Sequence, residues 1–192
     1  MIKKSQDTTN NACGKVEHLT PLSGERGKGE SPRESPSKGE SLYYNRATSL
    51  CARSEYSPYD IMRKCRDWGL SEAEAESLVE RLKEERFIDE RRYVHAFVHD
   101  KLEYAHWGRV KIQFALRQKH LPDALISEAL DEAAEPESYQ DALVSLLRQK
   151  VARMPRPLSP QDRAKVYRYA ASRGYEMDAI ARAIGIALEP EP

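Results

Sequence analysis

From Tyr43 onward the apolar positions recur at intervals of three and four residues, the period of one helix face. No stretch of useful length alternates with the period of two that a half-buried strand requires. Glycine and proline become sparse there, and Ala, Leu, Glu, Arg and Lys, all good helix formers, dominate. Helix starts are marked by their caps. Ser57-Pro58-Tyr59-Asp60 places a serine at N-cap, proline at N1 and an acid at N3, and Ser159-Pro160-Gln161-Asp162 repeats that arrangement. Ser71-Glu72-Ala73-Glu74 is a capping box. Gly69 and Gly174 fall where a preceding helix should close in a left-handed residue.

These signals line up as an internal repeat. Leu70, Leu121 and Tyr175 follow Gly69, His120 and Gly174 and serve as anchors. Nine residues before each anchor stands a β-branched apolar residue: Ile61, Ile112 and Val166. Five before stand Cys65, Leu116 and Ala170; five after, Ala75, Ile126 and Ile180; nine after, Val79, Leu130 and Ile184. Each repeat reads as three helices, over 43–54, 58–68 and 72–86, then 89–104, 109–119 and 123–134, then 137–153, 160–173 and 176–187. The expected fold is all-α, a tandem array of three three-helix repeats at 43–88, 89–135 and 136–192, elongated or curved.

Residues 1–42 differ. Ser23 to Ser41 carries Gly, Ser, Pro, Glu, Lys and Arg with no apolar residue, too little to offset the entropy of ordering, so a disordered N-terminal tail is expected. Lys3 and Lys4 at the N-terminus have no apolar run behind them, and nothing in the chain approaches a membrane span; a cytoplasmic protein is expected. Cys13, Cys51 and Cys65 are odd in number and lack a CxxC, which fits reduced thiols.

The chain has 31 basic and 31 acidic residues, so the distribution of charge matters more than its sum. The middle helix of the second repeat holds Arg109, Lys111, Arg117 and Lys119 and no acid; that of the third holds Arg163, Lys165, Arg168 and Arg173 against Asp162. Residues 123–141 hold seven acids and no Lys or Arg. Stacked in one orientation, such modules present a basic face able to meet a polyanion or an acidic groove. Solvated helix faces joined by intramolecular ion pairs are the alternative. The candidate contacts, chosen because they lie on middle helices, are Lys64, Arg109, Lys111, Arg117, Lys119, Arg163, Arg168 and Arg173.

Catalytic motifs are not evident: there is no phosphate-binding glycine loop, no HExxH and no Ser-His-Asp pattern. His95, His99 and Glu103 share one helix face, with His106 beyond, a spacing open to a divalent metal or to an ordinary solvated face. Trp68 and Trp107 flank the middle helices and suit interhelical packing or base stacking. No catalytic residue, metal or cofactor is expected.

The segment Asp89-Glu90-Arg91-Arg92-Tyr93-Val94-His95-Ala96-Phe97-Val98 resembles the acidic-Glu-Arg-aromatic-x-x-Ala-Phe-Val stretch of the RecX regulatory proteins. Glu55 to Cys65 is similar to that family's Tyr-Ser-x-x-Glu-Leu-x-x-Lys-Leu, with Asp60 and Ile61 for the acid and leucine. Leu78 to Asp89 and Gly108 to Leu121 agree as well, with Arg86 and His120 where glycine is usual and Ala115 where an acid is usual. The resemblance covers residues 47–134 well and the third repeat loosely. It implies a non-enzymatic, cofactor-free regulator that binds the RecA recombinase or its DNA filament and suppresses ATP hydrolysis and strand exchange. The charge pattern and the repeat array add a mechanism to that expectation: a monomer lying in the filament groove, its basic face on acidic groove surface or DNA phosphates. A direct DNA-binding module and an adaptor with another partner are the rival readings.

Overall fold

A computed structural model describes residues 38–188, and the tail expected over 1–42 lies outside them up to residue 37. Among the described residues there are nine helices and no strand. They are α1 (Lys38–Cys51), α2 (Pro58–Asp67), α3 (Glu72–Glu84), α4 (Glu90–Glu103), α5 (Arg109–Arg117), α6 (Asp123–Ala133), α7 (Pro136–Val151), α8 (Pro160–Arg173) and α9 (Met177–Leu188). The first helix starts five residues before the expected Tyr43 and ends at Cys51, three residues before the expected 54. Among these residues no helix is long and apolar enough to cross a membrane.

The caps form as the sequence directs. The Ser57 hydroxyl accepts from the Asp60 amide at 3.1 Å. Ser71 with Glu74 and Ser159 with Asp162 close reciprocal capping boxes. Asp89 caps α4 by accepting from the Arg92 amide. Each such cap supplies about 1 kcal/mol to its helix.

The repeat frame becomes three cores. Around Ile61, Cys65, Ala75 and Val79 gather Ala47 of α1, Leu78 and Leu82 of α3, and Ile88 from the turn after α3. Around Ile112, Leu116, Ile126 and Leu130 gather Tyr93, Val94 and Val98 of α4–α6. Around Val166, Ala170, Tyr175 and Ile180 gather Leu143, Leu147 and Val151 of α7–α9. The residue before each anchor is left-handed in all three: φ is +91° at Gly69, +58° at His120 and +87° at Gly174. Arg86, at +61°, does the same after α3. The two side-chain-bearing residues that stand where the resembled family has glycine therefore adopt a backbone conformation that favours glycine.

Candidate partner-binding surface

The middle helices α2, α5 and α8 carry the candidate cations except Lys119, which lies in the turn after α5 because that helix ends at Arg117, two residues before the expected end, and their environments differ. Arg109 is turned inward. Its guanidinium pairs with Asp131, donates to the Leu130 carbonyl at 3.3 Å and lies 3.7 Å from Glu176. Arg117 pairs with Asp123 at 2.7 Å. Lys119 reaches across to Asp60 on α2, with both carboxylate oxygens at 2.6 Å. Lys111 lies over the Trp107 ring at 4.3 Å, and Lys64 over Tyr56 at 5.5 Å. Arg173 donates to the Ala105 carbonyl at 2.7 Å. Arg168 reaches only the Ala164 carbonyl of its own helix, and Arg163 has no partner among the described residues.

The acids of α6 explain much of this. Asp123, Glu128, Asp131 and Glu132 face Arg117, Arg91, Arg109 and His95 respectively, all from the same three-helix unit. In the second repeat, then, the alternation of basic and acidic helices is largely consumed by internal pairing. Arg109 and Lys119 tie neighbouring repeats together, and a charge reversal there would read out folding before binding.

The Lys119–Asp60 pair is four-fifths shielded and is held further by the Ser57 hydroxyl, 2.8 Å from Asp60. Partial burial pushes the Asp60 carboxyl up, but the Lys119 ammonium and the Ser57 hydroxyl outweigh it and leave it below the usual carboxylate range. The folded state therefore holds fewer protons on this group than the unfolded chain. Its contribution is complete above the unfolded pKa of about 4 and disappears as pH falls through the lower folded value. Lys119→Met is expected to lose about 2 kcal/mol near neutrality, because it strands a largely shielded carboxylate. Denaturant titrations should show that difference shrinking below about pH 4. A deficit that stayed constant down to about pH 2 would rule the ion pair out as its cause.

Between α2 and α5 runs a shallow groove of about 370 Å³. Tyr59, Asp60 and Arg63 line one side, and Trp107, Lys111, Phe114 and Gln118 the other. Phe114 is 62% exposed and Val110, one turn earlier, 52%, so α5 offers an apolar pair to solvent beside Arg63 and Lys111. A large aromatic that exposed, rimmed by cations, fits a protein-binding edge better than a free surface. The repeat frame accounts for Ile112 and Leu116 as core and leaves Val110 and Phe114 off it, which is the sequence signal that points to them.

The proposed metal-type spacing does not converge. His95 faces Glu132 at 3.5 Å, and His99 packs edge-on to Tyr104. Among the described residues no three His, Cys, Asp or Glu side chains could hold a metal ion. The tryptophans are packed: Trp68 is stacked on Tyr43 with Arg46 on its ring, and Trp107 meets Phe97 edge-on under Lys101 and Lys111.

Known proteins share this arrangement. Residues 89–130 match the family described as RecX, second three-helix domain, and residues 137–184 match RecX, third three-helix domain. The regulatory protein RecX of Pseudomonas putida strain KT2440 is 32% identical over 136 residues, 71% of this chain and 85% of that one. The chain belongs to the RecX family. The RecX of Pseudomonas fluorescens is 34% identical over the same shares. Among solved structures, RecX from Lactobacillus salivarius superposes with a TM-score of 0.67 at 18% identity, covering 77% of this chain and 96% of that one. That likeness shows the RecX fold of helical repeats. Both of these Pseudomonas relatives are named regulatory proteins.

Proposed function

We propose that this protein binds the RecA recombinase or its DNA filament and restrains ATP hydrolysis and strand exchange, without a cofactor and without catalysing a reaction itself. The observation that carries the reading is the α2–α5 groove, where Phe114 stands exposed beside Arg63 and Lys111, with Val110 exposed one turn earlier on α5. Such an edge suits an acidic protein surface with an apolar recess: the aromatic supplies buried area, and the cations supply orientation and encounter rate. The three repeats, bounded at 43–88, 89–135 and 136–192, act as successive docking units. They bridge neighbouring subunits of the filament, oppose its nucleotide-linked rearrangement and cap its growth.

The test is RecA's hydrolysis of ATP on single-stranded DNA, with this protein titrated below one copy per RecA. Loss of hydrolysis at such ratios is expected, since a capped or bridged filament stops many subunits at once. No loss at excess protein, with its helicity verified, would remove RecA as the partner.

A further inference from the structure

The third repeat departs from the second in its charge balance. Residues 142–175 hold eight Lys and Arg and a single acid, Asp162, in a chain of zero net charge. Asp162 is already occupied by Lys165, Ser159 and the start of α8. In the second repeat the following helix, α6, supplies acids to the basic α5. In the third it does not. The described acid of α9, Asp178, pairs with Arg182 of the same helix, and Glu176 before it is turned to Tyr139 and Arg109.

The excess gathers at the α7–α8 corner. Arg153, Arg156 and Arg163 are exposed and have no hydrogen-bond or ion-pair partner among the described residues. Arg156 and Arg163 share one open depression with Pro157, Leu158 and Leu188. Pro155, Pro157 and Pro160 restrict the chain through the corner, so these side chains project from a backbone with little freedom left to lose. Like charges so placed repel one another, and nothing described in the molecule offsets that cost. None of the large exposed hydrophobic side chains among the described residues lies at the corner, and Leu158 is partly covered. It lacks the aromatic centre that makes the α2–α5 groove suit a protein. Planar guanidiniums without an apolar centre match phosphate oxygens, which they can bind in pairs.

We propose that the α7–α8 corner is a nucleic-acid backbone site, in which Arg153, Arg156 and Arg163 contact successive phosphates. It is a surface distinct from the α2–α5 groove, and it stands whether or not the partner at that groove is RecA. The site reads charge and spacing and carries no base specificity.

The test is fluorescence anisotropy of the full chain with a labelled oligothymidylate of about 20 nucleotides and a duplex of about the same length, across a salt series. The triple variant Arg153→Ala, Arg156→Ala, Arg163→Ala should bind at least about tenfold more weakly at low salt. On the single strand its log Kd against log salt slope should fall by about 2, the value for three lost phosphate contacts. Its helicity and melting temperature should match the parent, since none of the three makes a described bond. Replacing all three with lysine should retain most of the salt slope, because the charge is kept. Phe114→Ala should leave oligonucleotide binding as it is. Equal losses on both oligonucleotides mark the backbone of either form as ligand; a loss confined to the single strand narrows the ligand to unpaired strands. The proposal is overturned if the alanine triple changes affinity by less than about twofold with an unchanged slope. It is equally overturned if the parent binds anionic phosphatidylglycerol vesicles but neither oligonucleotide.

Discussion

Gly108→Ala is expected to undock the third repeat from the second. The N-terminus of α5 has no side-chain cap. Its amides are satisfied from the next repeat. Gly108 donates to the Arg173 carbonyl at 2.8 Å, Val110 to the Gly174 carbonyl at 3.0 Å and Arg109 to the Tyr139 hydroxyl at 3.0 Å. The positive end of α5 therefore sits against the negative end of α8, an arrangement each helix dipole favours. Such an approach requires both residues at the contact to lack a side chain. A Cβ on Gly108 would lie 2.2 Å from the Gly174 carbonyl oxygen, and one on Gly174 would lie 2.3 Å from the Lys111 Cβ. The neighbouring atoms at Gly108 are backbone and cannot rotate away. Losing the two backbone bonds and forcing the helices apart should cost about 3 kcal/mol, lowering the melting temperature by roughly 6–12 °C. Calorimetry should show the third repeat melting first, as coupled repeats do when one interface fails. Gly69→Ala is the control. Its φ of +91° is also left-handed, but no atom lies within 4 Å of the new Cβ, so only backbone strain of about 1 kcal/mol is expected. If Gly108→Ala melts within about 2 °C of the parent, the interface is not what holds these repeats together.

That interface was half legible in the sequence. Gly174 is recognisable as a helix-closing glycine from the end of the periodic pattern before it, and its φ bears this out. Gly108 belongs to the motif that resembles RecX, but nothing local says that its missing side chain makes room for a carbonyl more than sixty residues away. The core was more readable, because burial obeys a period. Ile61, Ile112 and Val166, placed by their distance from the anchors, are all buried. Charge obeys no such rule. The basic run on α5 reads as a face, but Arg109 and Arg117 find their acids on α6 and Lys119 finds Asp60 in the preceding repeat. Which of two cations on one helix is spent internally depends on packing angles that spacing does not encode. Phe114 was missed for a related reason. An aromatic in an apolar helix is usually core, and only the positions of Ile112 and Leu116 show that it points elsewhere.

The two surfaces differ in a way that separates their effects. At the α7–α8 corner Arg153, Arg156 and Arg163 have no partner among the described residues and no large hydrophobic side chain stands exposed, so its contribution should vanish with salt. At the α2–α5 groove the exposed area is aromatic and aliphatic, so its contribution should persist when salt is raised. A filament regulator with both could be recruited through one and held through the other.

Phe114→Asp should therefore nearly abolish the proposed restraint of RecA while leaving the protein folded. The side chain is 62% exposed and lies outside the buried core, so stability should change by less than about 0.5 kcal/mol. Its ring is the largest exposed apolar group in the groove, and an aromatic at the centre of an interface commonly carries about 2 kcal/mol or more. Removing it by Phe114→Ala should raise the concentration for half-maximal inhibition of ATP hydrolysis by about 30-fold. The aspartate adds repulsion against a partner surface proposed to be acidic, and should raise it further. Lys111→Glu in the same groove should also weaken inhibition, but with an effect that shrinks as salt is raised, whereas the Phe114→Ala loss should be nearly independent of salt. If Phe114→Asp inhibits as well as the parent at matched ratios, the α2–α5 groove is not the docking edge.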